Sequence, residues 1–149
     1  MRKTAILLAL LLTAGAANGQ LPGLRKRGPA QPAQPVLQGI DALRADFAAQ
    51  AGGTMVYFGS ESVVLGAPAK AALGLQAAWL RRHPDVVVRI EGYGDSLDTR
   101  DHALAVGARR AEEARGYLLL LGVPAAQVTT TSWGKERPGL GRAVTVLVR

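Results

Sequence analysis

The side chains able to do chemistry are two histidines, eleven carboxylates and eighteen lysines and arginines, with no cysteine. Without cysteine there are no disulfides, no thiolate metal ligands, and no thiol to carry an acyl chain behind a leader. His83 and His102 stand too far apart to form a helical zinc pair on their own. No nucleophile is paired with a base, and GYGD at residues 92–95 has too few glycines for a nucleotide fingerprint. The chain therefore reads as a non-enzyme, with no cofactor and no metal. What is left is recognition by charge and hydrogen bonding. Asp95 follows an apolar run and precedes a turn, and Arg110 comes fifteen residues later. Taken alone, Asp95 could bond turn amides, and Arg110 could pair on the surface with Glu113 or Asp101. Trp133 reads as a packing aromatic, His102 as an exposed first-turn residue, and Glu112 with Glu113 as a solvated face.

The elements that must position these residues follow from periodicity. Residues 40–51 place Ile40, Leu43 and Phe47 at helical spacing, and Gly52-Gly53 stops them. TMVYFG at 54–59 is a short β-prone run. Residues 68–82 put Ala72, Leu75, Trp79 and Arg82 on one helical stripe, with Leu73, Gln76 and Leu80 beside it. DVVVRIE at 85–91 is the clearest strand, and Gly92 to Asp95 end it. A long helix starts near Thr99, capped by Asp98 or Thr99, with a buried stripe of Leu104, Ala108, Ala111, Leu118 and Leu121. Gly122 and Val123-Pro124 close it. At about 100° per residue, Arg109 falls opposite that stripe and Arg110 on its flank, at a cleft lip. Residues 127–133 and 143–148 are two further strands. Strands separated by helices predict an α/β layer: a single mixed sheet of about four strands with helices packed on it.

The formal charge of +7 is unevenly placed. Five basic residues lie before Gly39, leaving thirteen against eleven acidic residues from there on. Mixed signs over the folded part argue against nucleic acid as a partner. Residues 1–19 have Arg2 and Lys3, an apolar run over 5–12, and small residues near 14–16: the three regions of a secretory signal peptide. The apolar run is shorter than the ~20 residues of a membrane span, so no transmembrane segment is expected in the mature chain. Residues 20–38, rich in Pro, Gln and Gly, read as a flexible tether, and residues 39–149 as one domain.

VYFGSESVVL at 56–65, VRIEGYGDSLDTRDHALAVGARRAEEARGYLLLLGV at 88–123 and TSWGKERP at 131–138 fall in an order that resembles the OmpA C-terminal-like domain family. The resemblance is especially to the soluble part of the family's peptidoglycan-associated lipoprotein branch. The resemblance rests on Gly-x-x-Asp at Asp95, Arg110-Ala111 fifteen residues on, and the later Trp133-Gly134-Lys135-Glu136-Arg137-Pro138. It implies the family's fold and a non-covalent hold on the peptide stem of the bacterial cell wall. By that resemblance Asp95 takes the ammonium and Arg110 the carboxylate of a diaminopimelate side chain, with Phe58, Gly59, Leu97 and Val106 lining the site. A carboxylate and a guanidinium in one cleft suit such a zwitterion, since Arg can clamp a carboxylate with two parallel donors. The sequence departs from the family at Tyr93 (histidine), Asp98 (loop glycine), Ala103 (asparagine) and Gly59 (often aspartate). The segment between Pro138 and Arg142 is also shorter. Alanine at 103 cannot make the positioning hydrogen bond of an asparagine. Asp98 could supply a second carboxylate near the ammonium.

The resemblance together with the leader implies a periplasmic peptidoglycan-binding module, either free or associated with the outer membrane. The alternative on the same fold is a structural domain that docks onto other proteins of a cell-envelope assembly, its cleft having drifted.

Overall fold

The computed structural model describes residues 37–137 and 142–148. In chain order these form α1 (Leu37–Gln50), β1 (Met55–Tyr57), α2 (Ala67–Arg82), β2 (Val88–Tyr93), α3 (Arg100–Leu120), a single 3-10 turn (Ala125–Gln127), β3 (Val128–Gly134) and β4 (Arg142–Leu147). The sheet order is β1-β4-β2-β3; β4 runs antiparallel to both neighbours and β2 parallel to β3. This is the single mixed four-stranded α/β sheet that the sequence predicts. The leader and nearly all of the tether lie outside the described residues. Leu37 and Gln38, placed at the end of the tether, are instead the first residues of α1.

The parallel pair needs a crossover, and α3 supplies it. Thr99 starts that helix: its hydroxyl accepts the His102 N–H at 3.3 Å. Gly122, at φ 87°, ends it, donating to the Leu119 carbonyl while Val123 N–H reaches the Leu118 carbonyl. That pair of bonds is a Schellman cap, and the left-handed turn is why a glycine stands there. β2 is displaced from the expected 85–91 to Val88–Tyr93, because Val86 N–H closes a turn on the His83 carbonyl. Gly92 and Tyr93 then continue the ladder against Ala143 and Gly134.

One face of the sheet carries the core. Val88 and Ile90 of β2 and Ala143 and Leu147 of β4 pack with Phe47 of α1, Leu73, Trp79 and Leu80 of α2, and Ala111, Ala114 and Leu118 of α3. The Trp79 indole meets Phe47 edge-on, and its N–H donates to Asp46 at 2.7 Å, tying α1 to α2. The buried faces of both long helices differ from the expected stripes. On α2, Leu75 is exposed and the core side runs through Ala69, Leu73, Gln76 and Leu80. Gln76 can be buried because it accepts from the Thr145 hydroxyl and donates to the Gly53 carbonyl. On α3, Leu104 and Ala108 are exposed, and the buried residues are Ala103, Val106, Gly107, Arg110, Ala111, Ala114 and Leu118. The helix face is built of small residues so that it can lie almost on the backbone of β2.

Candidate functional site

Close approach of α3 to β2 sets the site. A Cβ at Gly92 would lie 1.8 Å from the Gly107 carbonyl oxygen, and one at Gly94 would lie 2.3 Å from that of Ala103. Backbone-to-backbone contact of this kind is possible only where side chains are missing. One turn along α3, Arg110 therefore enters the interior instead of standing at a lip. Its side chain is completely buried.

Burial of a guanidinium demands partners, and the chain supplies them from two segments, residues 58–62 and 93–95. Nη1 donates to the Tyr93 carbonyl at 2.8 Å and to Asp95 Oδ1 at 3.1 Å. Nε donates to the Ser62 carbonyl at 2.8 Å and Nη2 to the Gly59 carbonyl at 3.2 Å. The Phe58 ring lies under the guanidinium, 5.6 Å from its centroid. Asp95 Oδ2 accepts the Glu61 N–H at 2.9 Å. The Asp95 side chain keeps 22% of its surface exposed, whereas Arg110 presents none. Burial acts to raise the Asp95 pKa, but the Arg110 and Glu61 hydrogen bonds and the Arg110 charge prevail and hold it below the ordinary value.

Asp95, Arg110, Phe58 and Gly59 are thus brought together. Leu97 is fully exposed in the loop beyond Asp95, and Val106 is buried one turn before Arg110. Sequence reasoning missed the participation of the 59–62 backbone, whose carbonyls and N–H carry no side-chain signature. Of the departures from the family pattern, Ala103 is fully buried against Gly94. Asp98 Oδ2 is buried, 3.7 Å from His102 Nε2, and the Asp98 carbonyl accepts from Lys135 Nζ. Arg137 stacks on Trp133 at 3.6 Å. Among the described residues, no group of three or more His, Asp or Glu could hold a metal ion.

On the opposite sheet face Glu91 is also buried, held by Arg89 at 2.8 Å and by the Tyr93 hydroxyl at 3.0 Å. Burial would raise its pKa, but those hydrogen bonds lower it below the usual value. Asp95 and Glu91 thus share a sign: each is more acidic folded than unfolded. The stability they contribute is complete above the unfolded values near ~4 and is lost as pH falls through the folded ones. We expect the urea midpoint to be level from about pH 7 to 5 and to drop below about pH 4. Asp95→Asn should make that drop shallower, and an equal drop in the variant would remove Asp95 from the account.

The OmpA family model matches residues 57–144. The peptidoglycan-associated lipoprotein of Rhizobium meliloti (strain 1021) is 43% identical over 86 residues, which cover 58% of this chain and 49% of that protein. The protein of the same description from Mesorhizobium japonicum is 35% identical over 138 residues, covering 89% of this chain and 76% of that one. The chain spans about half the length of the first of these relatives. Among solved structures, the peptidoglycan-associated lipoprotein from Burkholderia pseudomallei superposes with a TM-score of 0.62 at 33% identity, covering 65% of this chain and 92% of that one.

Proposed function

The chain belongs to the OmpA family, and on that premise we propose that it is a non-catalytic module of the bacterial cell envelope that holds peptidoglycan without covalent linkage. The relatives at 43% and 35% identity are named for association with peptidoglycan, which supports the substrate class. The single observation that carries the reading is the Asp95–Arg110 pair, set fifteen residues apart in sequence and 3.1 Å apart in space. It is an ionised carboxylate with an exposed edge, backed by a buried guanidinium. A ligand with an ammonium and a carboxylate on one carbon is its chemical complement. In the stem peptide that description fits the free end of diaminopimelate. Asp95 meets the ammonium, and Arg110 is the group for the carboxylate. With the leader read from the sequence, the module works in the periplasm and is retained near the wall. No helix of the described residues is long and apolar enough to cross a membrane.

Sedimentation of the full chain with insoluble peptidoglycan tests the reading. The protein should pellet with the wall, and Asp95→Asn, which keeps the shape and a carbonyl acceptor for Arg110, should stay at least about tenfold more in solution. If the folded wild type stays in the supernatant, the cleft is not a wall site. The same fold would then be sought as a docking domain on envelope proteins.

A further inference from the structure

The groups that saturate Arg110 and Asp95 have a pattern of their own. Gly59 and Ser62 present two carbonyl oxygens to Nη2 and Nε, the side-on fork on which a carboxylate binds with both oxygens. Between them in sequence, Glu61 presents an N–H to Asp95 Oδ2, the position an ammonium would take. Two acceptors on the guanidinium and one donor on the carboxylate are the hydrogen-bonding outline of a zwitterionic amino-acid centre. The remaining Arg110 contacts, to the Tyr93 carbonyl and Asp95 Oδ1, come from the end of β2 and the residues that follow it.

We infer that the 59–62 segment is an internal stand-in for the ligand, and that binding exchanges the segment's backbone for the ligand's carboxylate and ammonium. The inference rests on the reading above. Three further features support it. Glu61 has φ 52°, a left-handed conformation that is uncommon for a residue with a side chain. Gly59, Ser60 and Glu61 are exposed, so the segment lies at the surface over the buried guanidinium. There is also room beside the segment. Gly59 and Val64 line a groove of about 340 Å³, and Val63 and Val64 line another of about 540 Å³. The site is closed by a strap with empty space beside it at Gly59.

The direction of exchange follows from charge. A carboxylate on the fork and an ammonium on Asp95 make charge-assisted bonds where the strap offers a neutral carbonyl or amide, so the zwitterion displaces it. A stem peptide whose diaminopimelate carboxylate is amidated keeps one oxygen in place of two and loses the charge. It should bind at least tenfold more weakly.

Hydrogen exchange of backbone amides in the full chain decides this, with and without a soluble stem tripeptide ending in meso-diaminopimelate. The Glu61 amide should exchange slowly in the free protein and become fast at saturating peptide. Glu61→Pro, which has no N–H and cannot take a positive φ, releases the strap and should bind the tripeptide about fivefold tighter or more. Saturable binding that leaves the Glu61 amide protected, with Glu61→Pro binding no better, overturns the exchange and leaves the peptidoglycan reading intact. If neither protein binds the tripeptide, that reading fails and the exchange falls with it. Binding by Glu61→Pro alone would show the strap as the barrier.

Discussion

Arg110→Ala should lose about 3–5 kcal/mol of folding stability, read as a fall in the melting midpoint of at least about 10 °C. The guanidinium is wholly buried and makes four hydrogen bonds to the chain. Truncation removes every one of them. It leaves the carbonyls of Gly59, Ser62 and Tyr93 without that donor, and Asp95 without its charge partner. An orphaned buried acceptor costs about 1–3 kcal/mol in itself, and the vacated space adds to that. Domains of this size hold roughly 5–15 kcal/mol in all, so a wild type at the low end leaves the variant close to half unfolded at 37 °C. Loss of wall binding by Arg110→Ala would then report unfolding and not a missing contact. Arg110→Lys separates the two effects. It keeps the charge and much of the volume but cannot form the fork, so it should lose about 2 kcal/mol and still fold. Thermal melts of both variants beside the wild type check this, and an Arg110→Ala midpoint within 3 °C of the wild type would contradict the structural role.

How much of this could be read from sequence depends on the kind of signal involved. Caps and breakers were legible: Thr99, Gly122 and the Gly52-Gly53 pair act where their types imply, and the strands sit within a few residues of their expected places. The helix faces were legible in part: Trp79, Ala111 and Leu118 are buried as expected, whereas Leu75, Leu104 and Ala108 are exposed. A stripe search ranks leucine above glycine, so on α3 it chose Leu104 and Ala108. The face that packs is Ala103, Gly107, Ala111 and Ala114, selected for small size against β2. The same search places arginine outside. Arg110 is inside because four acceptors, three of them backbone carbonyls, converge on it, and no periodicity announces where carbonyls will point. The Asp95–Arg110 pairing was therefore legible as spacing and family likeness, while its closed geometry was not.

The contact that places Arg110 is open to a one-atom test. Gly92→Ala should cost about 3 kcal/mol, because the added Cβ would stand 1.8 Å from the Gly107 carbonyl oxygen, 2.7 Å from its carbon and 3.1 Å from Ala111 Cβ. Two of these three atoms are main chain, so no rotamer change relieves the overlap. Either α3 moves off β2 by more than an ångström or the strand bends. Displacement in either direction pulls Arg110 away from the Tyr93 and Asp95 oxygens, which follow Gly92 directly in the chain. The site should thus fail together with the packing: the melting midpoint falls by about 10–20 °C, and the Glu61 amide loses its protection without any ligand. Gly107→Ala should be milder, since its Cβ would first meet the Ser132 hydroxyl at 2.5 Å, a side-chain end that can turn aside, and only then the Gly92 oxygen at 2.9 Å. Gly116→Ala has the opposite sign. It lies on the same helix with nothing within 4 Å of its Cβ, so it should gain about 0.5–1 kcal/mol from helix propensity alone. Gly92 of β2 and Gly107 and Gly116 of α3 should therefore spread over about 4 kcal/mol in urea melts, ordered by distance to the opposing backbone. Equal effects at positions 107 and 116 would mean that helix propensity, and not the α3–β2 approach, governs this face, and the burial of Arg110 would need another cause.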